Sequence, residues 1–301
     1  GAYLMGNDMV RLLSLTGGGH ISDFHFDEST GLPSLNPLWV PPWKTIEPYR
    51  YRQVVHASRY GSPVAGKLLS GLTGHNICLD YFGEPSEEEA GYGLSLHGEA
   101  PSQKWKKTKL RAGNKQVALT LSTTLPAAGL KFNREIRLRA GESVAYFKET
   151  VMNQRPADHL FHWTQHVTFG PPFVSHRDSI VTISATKGKT FPHGYEGHAL
   201  LESAREFRWP HAPTPTGKTV DLTRPFPRRG FGFVAGVLLD QARDVVFIAV
   251  LNTRVRLLIG YCFRRCDFPW VTVWQENRAM TDPPWLGRCQ AMGLEFGTTP
   301  F

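Results

Sequence analysis

Apolar and polar positions alternate with a period of two through most of this chain, in short runs separated by glycine and proline. That period places successive side chains on opposite faces of an extended strand. QVALTLSTTL (116–125), LKFNREIRLRAG (130–141) and ESVAYFKETVMN (142–153) read as a meander, with Ala140–Gly141 as a tight connection. HLFHWTQHVTFG (159–170), SIVTISATKGKTF (179–191), DVVFIAVLN (244–252), VRLLIGYCF (255–263) and WVTVWQEN (270–277) continue the pattern. One stretch, GHALLESAREFRW (197–209), has the spacing of a moderate helix, closed by Pro210. RWPHAPTPTGKTVDLTRPFPRRG (208–230) reads as a long loop of the kind that carries function or motion. No linker and no fixed-period repeat interrupts the sequence, so residues 1–301 are expected to form one domain. The elements predict an all-β fold. At 301 residues that means a large sandwich of many antiparallel strands with few short helices, rather than a small barrel.

Composition sharpens this picture only a little. Hydrophobic residues make up 41% and charged residues 20%, proportions that support a real core. No run approaches the roughly 18 apolar residues of a membrane helix. The opening GAYLMGNDMVRLLSL lacks a basic region followed by an apolar core and a cleavage site, so the reading leans to a cytoplasmic protein. An export signal removed before residue 1 would leave no trace. The four cysteines show neither zinc spacing nor a disulfide framework. Cys262 and Cys266 would lie roughly 13 Å apart on a strand, too far to be bridged. The net charge of +8 is densest in KWKKTKLRAGNK (104–115), with no nucleic-acid-binding motif beside it, and reads as a solvated surface; no nucleic-acid and no membrane partner is expected.

Three regions hold candidate chemistry. In HLFHWTQHVTFG, alternation puts His162, Thr164, His166 and Thr168 on one face and aromatic residues on the other. The histidine face could line a cavity or be merely exposed. A shared metal ion is disfavoured, because strand geometry separates the two imidazoles by roughly 13 Å. The second region, residues 74–105, gathers His75, Asp80, His97, Glu99 and Trp105 among glycines, while Glu87–Glu88–Glu89 reads as a solvated turn. In the third, Trp274 and Trp285 flank Glu276, Asn277, Arg278 and Asp282. Indoles beside carboxylates and amides suit a sugar, whose apolar face stacks while its hydroxyls seek polar partners. Trp39 and Trp43 add to a total of eight tryptophans, most of which belong in the core. Near the end, GLEFG sets Glu295 between Gly293 and Gly297 on one strand face, with open space expected beside it for a flat ligand.

In this order, LHGEA, TQHVTFG and GLEFG, together with the opening GGGHISDFHF, resemble the galactose mutarotase (aldose 1-epimerase) family over nearly the whole chain. The resemblance implies a β-supersandwich and a cleft for a monosaccharide or derivative, with no cofactor and no metal. It makes Glu295 the general base, His166 the general acid and His97 a second histidine that binds or polarises the sugar. His75, Asp80, Trp105, His162, Trp274 and Glu276 are expected around the substrate. Arg59 is the one candidate for the arginine that precedes the family's early histidine. The family's NHxYFNL form around the central histidine reads QHVTFGPPF here, which marks a divergent branch. Two other classes stay open: a carbohydrate-binding protein without turnover, and a lyase or hydrolase on the same sandwich. A hydrolase needs a second acid, for which Glu276 and Glu99 are the candidates.

Overall fold

The computed structural model describes residues 1–301, the side chain of Pro63 excepted. The backbone divides into two compact units: Gly1–Asn36 with Lys44–His162, and Pro37–Trp43 with Trp163–Phe301.

The first unit carries β1 (Ala2–Gly6), β2 (Val10–Leu15), β3 (Ile21–Phe26), β4 (His75–Cys78), β5 (Lys106–Gly113), β6 (Gln116–Leu125), β7 (Leu130–Arg139) and β8 (Ala145–Asn153). Its helices are α1 (Gln53–Tyr60), α2 (Pro63–Leu69) and α3 (Glu87–Gly91). Strands β1 to β4 are successive neighbours in one sheet and β5 to β8 in another. Period-two burial along β7 turns Leu130, Phe132, Ile136 and Leu138 inward, where Phe132 packs 5.2 Å from Trp105. Arg134 shares that face, fully buried. It is tolerated because it pairs with Glu149, donates to the Gly19 carbonyl at 2.9 Å and lies over the Trp105 ring. The short helices are set by local caps. Ser62 accepts from the Ala65 N–H, and Ser86 and Glu89 form a capping box, so the acidic triplet is the exposed first turn of α3.

The second unit carries β9 (Thr164–Phe169), β10 (Ser179–Ile183), β11 (Ala185–Thr190), β12 (His198–Ala199), β13 (Glu206–Arg208), β14 (His211–Pro213), β15 (Thr219–Asp221), β16 (Phe231–Leu239), β17 (Val245–Asn252), β18 (Leu257–Arg264), β19 (Trp270–Asn277) and β20 (Gln290–Gly297). One sheet runs β9-β20-β19-β16-β11-β13-β14-β15, with β12 parallel to β16; the other runs β10-β17-β18. They meet through Phe296 of β20, which stacks 4.1 Å from Phe263 of β18. Each unit is therefore a pair of facing sheets, and the fold is a β-sandwich.

Two expectations change here. Residues 197–209 are not helical, because their backbone bonds run across to neighbouring strands rather than along the chain. Leu200 donates to Gly232, and Phe207 fills the space beside Gly188. Residues 208–230 are not one loop either. They form the short hairpins of β13 to β15, and the Gln275 amide then both accepts from and donates to the Phe226 backbone at 2.8 Å.

Candidate functional site

Strand β20 lies between β9 and β19, and the registers place His166, Glu295 and Thr272 in one row across the three strands. Directly opposed residues hold their Cβ atoms about 5 Å apart, close enough for the side chains to meet. His166 Nε2 lies 3.2 Å from Glu295 Oε1, with the residues only 5% and 3% exposed. Thr168, two residues along the same face of β9, places its hydroxyl 3.2 Å from His166 Nδ1. Both imidazole nitrogens are thus engaged, which fixes the ring. On the other side Thr164 Oγ1 is buried without a hydrogen-bond partner among the described residues. A buried hydroxyl in that state marks a place where a water or ligand atom completes the bonding.

Burial pushes the Glu295 carboxyl well above the usual carboxylate range, since removal from water disfavours the charged form. Glu295 and His166 together form a desolvated couple able to hold one proton between them.

The glycines flanking Glu295 do not leave open space. A Cβ at Gly293 would lie 2.3 Å from Glu295 Oε1 and 3.1 Å from the Trp274 ring; one at Gly297 would meet Thr164 Oγ1 at 2.4 Å. The missing side chains let the Glu295 carboxylate fold back along its own strand and let Thr164 approach. Indoles wall the couple. Trp274 stands edge-on to His166 at 6.1 Å and to Trp285 at 6.2 Å, and Trp285 in turn meets Trp39 and Trp43. Trp39 and Trp43 are buried, whereas Trp274 and Trp285 stay half-exposed.

Trp274 is held from behind. Its Nε1–H donates to the Tyr195 hydroxyl at 2.7 Å, and that hydroxyl donates to Glu276 Oε2 at 2.8 Å. Glu276 Oε1 accepts the N–H groups of Ala279 and Met280 at 2.6 and 3.1 Å. Burial raises both the Glu276 carboxyl and the Tyr195 hydroxyl. Every polar atom of Glu276 is spent on its own chain, so it braces the turn that carries Trp285 and does not face a substrate. Tyr195, set in PHGYEGH without any periodic context, gave no signal in the sequence; its ring lies where a Cβ of Gly232 would otherwise be.

The other expected residues lie in the first unit. Trp105 is 1% exposed, donates to the Ala100 carbonyl and packs against Phe132, so it is core and not a stacking platform. His75 is buried 6.0 Å from the Phe147 ring. Asp80 pairs with His159 Nε2 at 2.8 Å, a partner not singled out in the sequence. His162 precedes β9, is exposed, and gives its backbone N–H to the Asp80 carbonyl. His97 has a left-handed φ of 66°; its Nδ1 accepts from the Gly83 N–H at 3.0 Å and its ring stacks on Phe82. Arg59 is exposed on α1, above the Tyr60 ring. Glu99 is spent on the Ala128 N–H and the Gln103 amide.

No family model matches the sequence, and no curated protein does. Solved structures do. A candidate aldose 1-epimerase from Klebsiella pneumoniae is similar with a TM-score of 0.66 at 17% identity, over 97% of this chain and 69% of its own. A candidate mutarotase from Salmonella typhimurium gives 0.63 at 14%, over 98% and 81%. A galactose mutarotase related enzyme from Lactobacillus acidophilus gives 0.57 at 11%, over 99% and 85%. The chain has the galactose mutarotase-like fold.

Proposed function

We propose that this protein interconverts the anomers of an aldose by acid–base ring opening, with Glu295 as base and His166 as acid. The observation that carries the reading is the buried His166–Glu295 couple, set on a mutarotase-like sheet beside the half-exposed indoles of Trp274 and Trp285. Glu295 takes the proton of the anomeric hydroxyl while the His166 imidazolium gives one to the ring oxygen. The C1–ring-oxygen bond breaks and the carbonyl forms. After rotation about C1–C2, the same two transfers run in reverse and close the ring on the other face. The couple carries one proton throughout, so no net charge develops in a dry site. Positioned groups of this kind each contribute about 10²–10⁴-fold. The indoles offer an apolar wall for one face of the ring, and Thr164 a free hydroxyl.

The test is exchange NMR on a panel of aldoses, neutral and anionic. Faster magnetisation transfer between anomers in the presence of protein supports the reading, and no acceleration for any member counts against it. One observation favours a second reading, sugar binding without turnover: the space beside Glu295 is filled by its own carboxylate. That reading predicts ligand-induced tryptophan fluorescence changes with exchange rates unaltered.

The hydrolase alternative fares worse. Glu276 sits four residues from Thr272, the neighbour of Glu295, which is roughly 13 Å along the strand. The Glu276 oxygens are already occupied by the Tyr195 hydroxyl and the Ala279 and Met280 N–H groups, so it is not free to serve as the second acid.

A further inference from the structure

The outer face of the β5–β8 sheet carries seven basic side chains and a net charge close to that of the whole chain. The register of β5 on β6 turns Lys106, Lys109 and Arg111 to the same side as Ser122, Thr120 and Ala118. The register of β6 on β7 and the burial along β7 turn Lys131, Arg137 and Arg139 to that side too. Lys148 of β8 joins them opposite Glu135, the single acidic residue on this face of the four strands. Seven basic groups against one acidic group give +6, compared with +8 for the whole chain. Glu135 reports the resulting field. Its hydrogen bond to Arg137, helped by Arg137, Arg111 and Lys148 nearby, holds its carboxyl below the usual range.

The charges are ordered. Neighbouring strands lie about 4.8 Å apart, so β5 and β7 form two basic rails about 10 Å apart, the second of them interrupted by Asn133 and Glu135 between Lys131 and Arg137. Between them β6 carries Gln116 at one end and then Ala118 and the hydroxyl-bearing Thr120, Ser122 and Thr124, with Thr120 and Thr124 the more exposed hydroxyls. The face is a shallow trough with a floor of hydroxyls. Its one aromatic neighbour, Tyr146, is covered by Arg139 at 4.5 Å and bonded to Glu142, so no ring is left for bases to stack on. Met152 and Tyr146 are the exposed large hydrophobic side chains among the outward residues of β8, too little to anchor a membrane surface.

We infer that this trough binds a single extended chain of an acidic polysaccharide, its anionic groups paired with the two rails and its hydroxyls with the floor along β6. The inference is independent of the sugar chemistry proposed for Glu295 and His166.

The experiment titrates the full-length protein with a fluorescent heparin octasaccharide at several salt concentrations, beside neutral dextran and single-stranded oligothymidylate of equal charge. Wild type is expected to bind heparin, with affinity falling linearly in log salt through counterion release. Lys106→Gln/Lys109→Gln/Arg111→Gln, all exposed on an edge strand, is expected to lose at least tenfold in affinity and to lower the salt slope by about three. Lys131→Gln/Arg139→Gln should lose affinity through the second rail. A charge-matched control, Lys187→Gln/Lys189→Gln/Arg254→Gln, should lose less than threefold. Equal losses in rail and control variants, or no heparin binding by wild type, would overturn the inference. Oligothymidylate binding as tight as heparin would overturn the assignment to polysaccharide and favour a nucleic acid.

Discussion

Two buried carboxylates on adjacent strands of one sheet face, Glu276 and Glu295, show how the same residue in the same burial does different work. They are 1% and 3% exposed, and burial raises both. Glu276 is met by three donors whose protons stay put: a phenol and two backbone N–H groups. Glu295 is met by an imidazole, whose ring nitrogens can both accept and donate a proton. The first region is therefore a brace, and the second is the pair proposed to carry a proton. What separates them is the partner, not the burial.

The largest effect is expected where that difference is erased. Glu295→Gln keeps the shape and removes the proposed base, so the anomer exchange rate should fall about 10²–10⁴-fold while circular dichroism and melting remain those of a folded protein. If the roles were reversed, Glu276→Gln would give that loss instead. Next comes stability at the brace. Glu276→Ala leaves the Tyr195 hydroxyl and two N–H groups without their acceptor and should cost about 3 kcal/mol in urea unfolding. Tyr195→Phe strands the Trp274 Nε1–H and removes one donor from Glu276, an expected loss of about 1–2 kcal/mol. It should also change tryptophan fluorescence, which Glu276→Gln should do less.

The smallest effect sharpens the contrast through pH. Because the folded Glu295 carboxyl lies above its unfolded value, the folded state holds that proton longer. Its contribution to stability is complete below the ordinary carboxylate range and is lost as pH rises through the raised folded value. Glu295→Gln removes this slope. The variant should gain on wild type at pH 8 and lose that advantage at pH 4, read by melting at both values.

Much of this was legible in the chain itself. β6 and β19 have the bounds their alternation predicts, because each lies in a sheet interior where both neighbours reinforce the period. The strands that carry His166 and Glu295 could each be read in isolation, whereas their pairing side by side is a non-local fact that no single strand reveals. Helices α1 and α2 were hidden by their shortness and, in α1, by Val54 and Val55 together with a start that has no side-chain cap. The fate of the glycines beside Glu295 was not readable either. A missing side chain signals space, but only coordinates say that the neighbouring carboxylate and threonine occupy it. Trp105 and Trp274 look alike in sequence. One is enclosed by Phe132 and Arg134, and the other is propped half-open by a tyrosine nearly eighty residues away.

The pH dependence of kcat/KM for anomer exchange tests the couple most directly. The account predicts that wild-type activity falls on the acid side at a pH above the ordinary carboxylate range, and that Glu295→Gln shows only a residual rate without that limb. Wild-type exchange no faster than buffer, or an acid limb that persists in the variant, would contradict it.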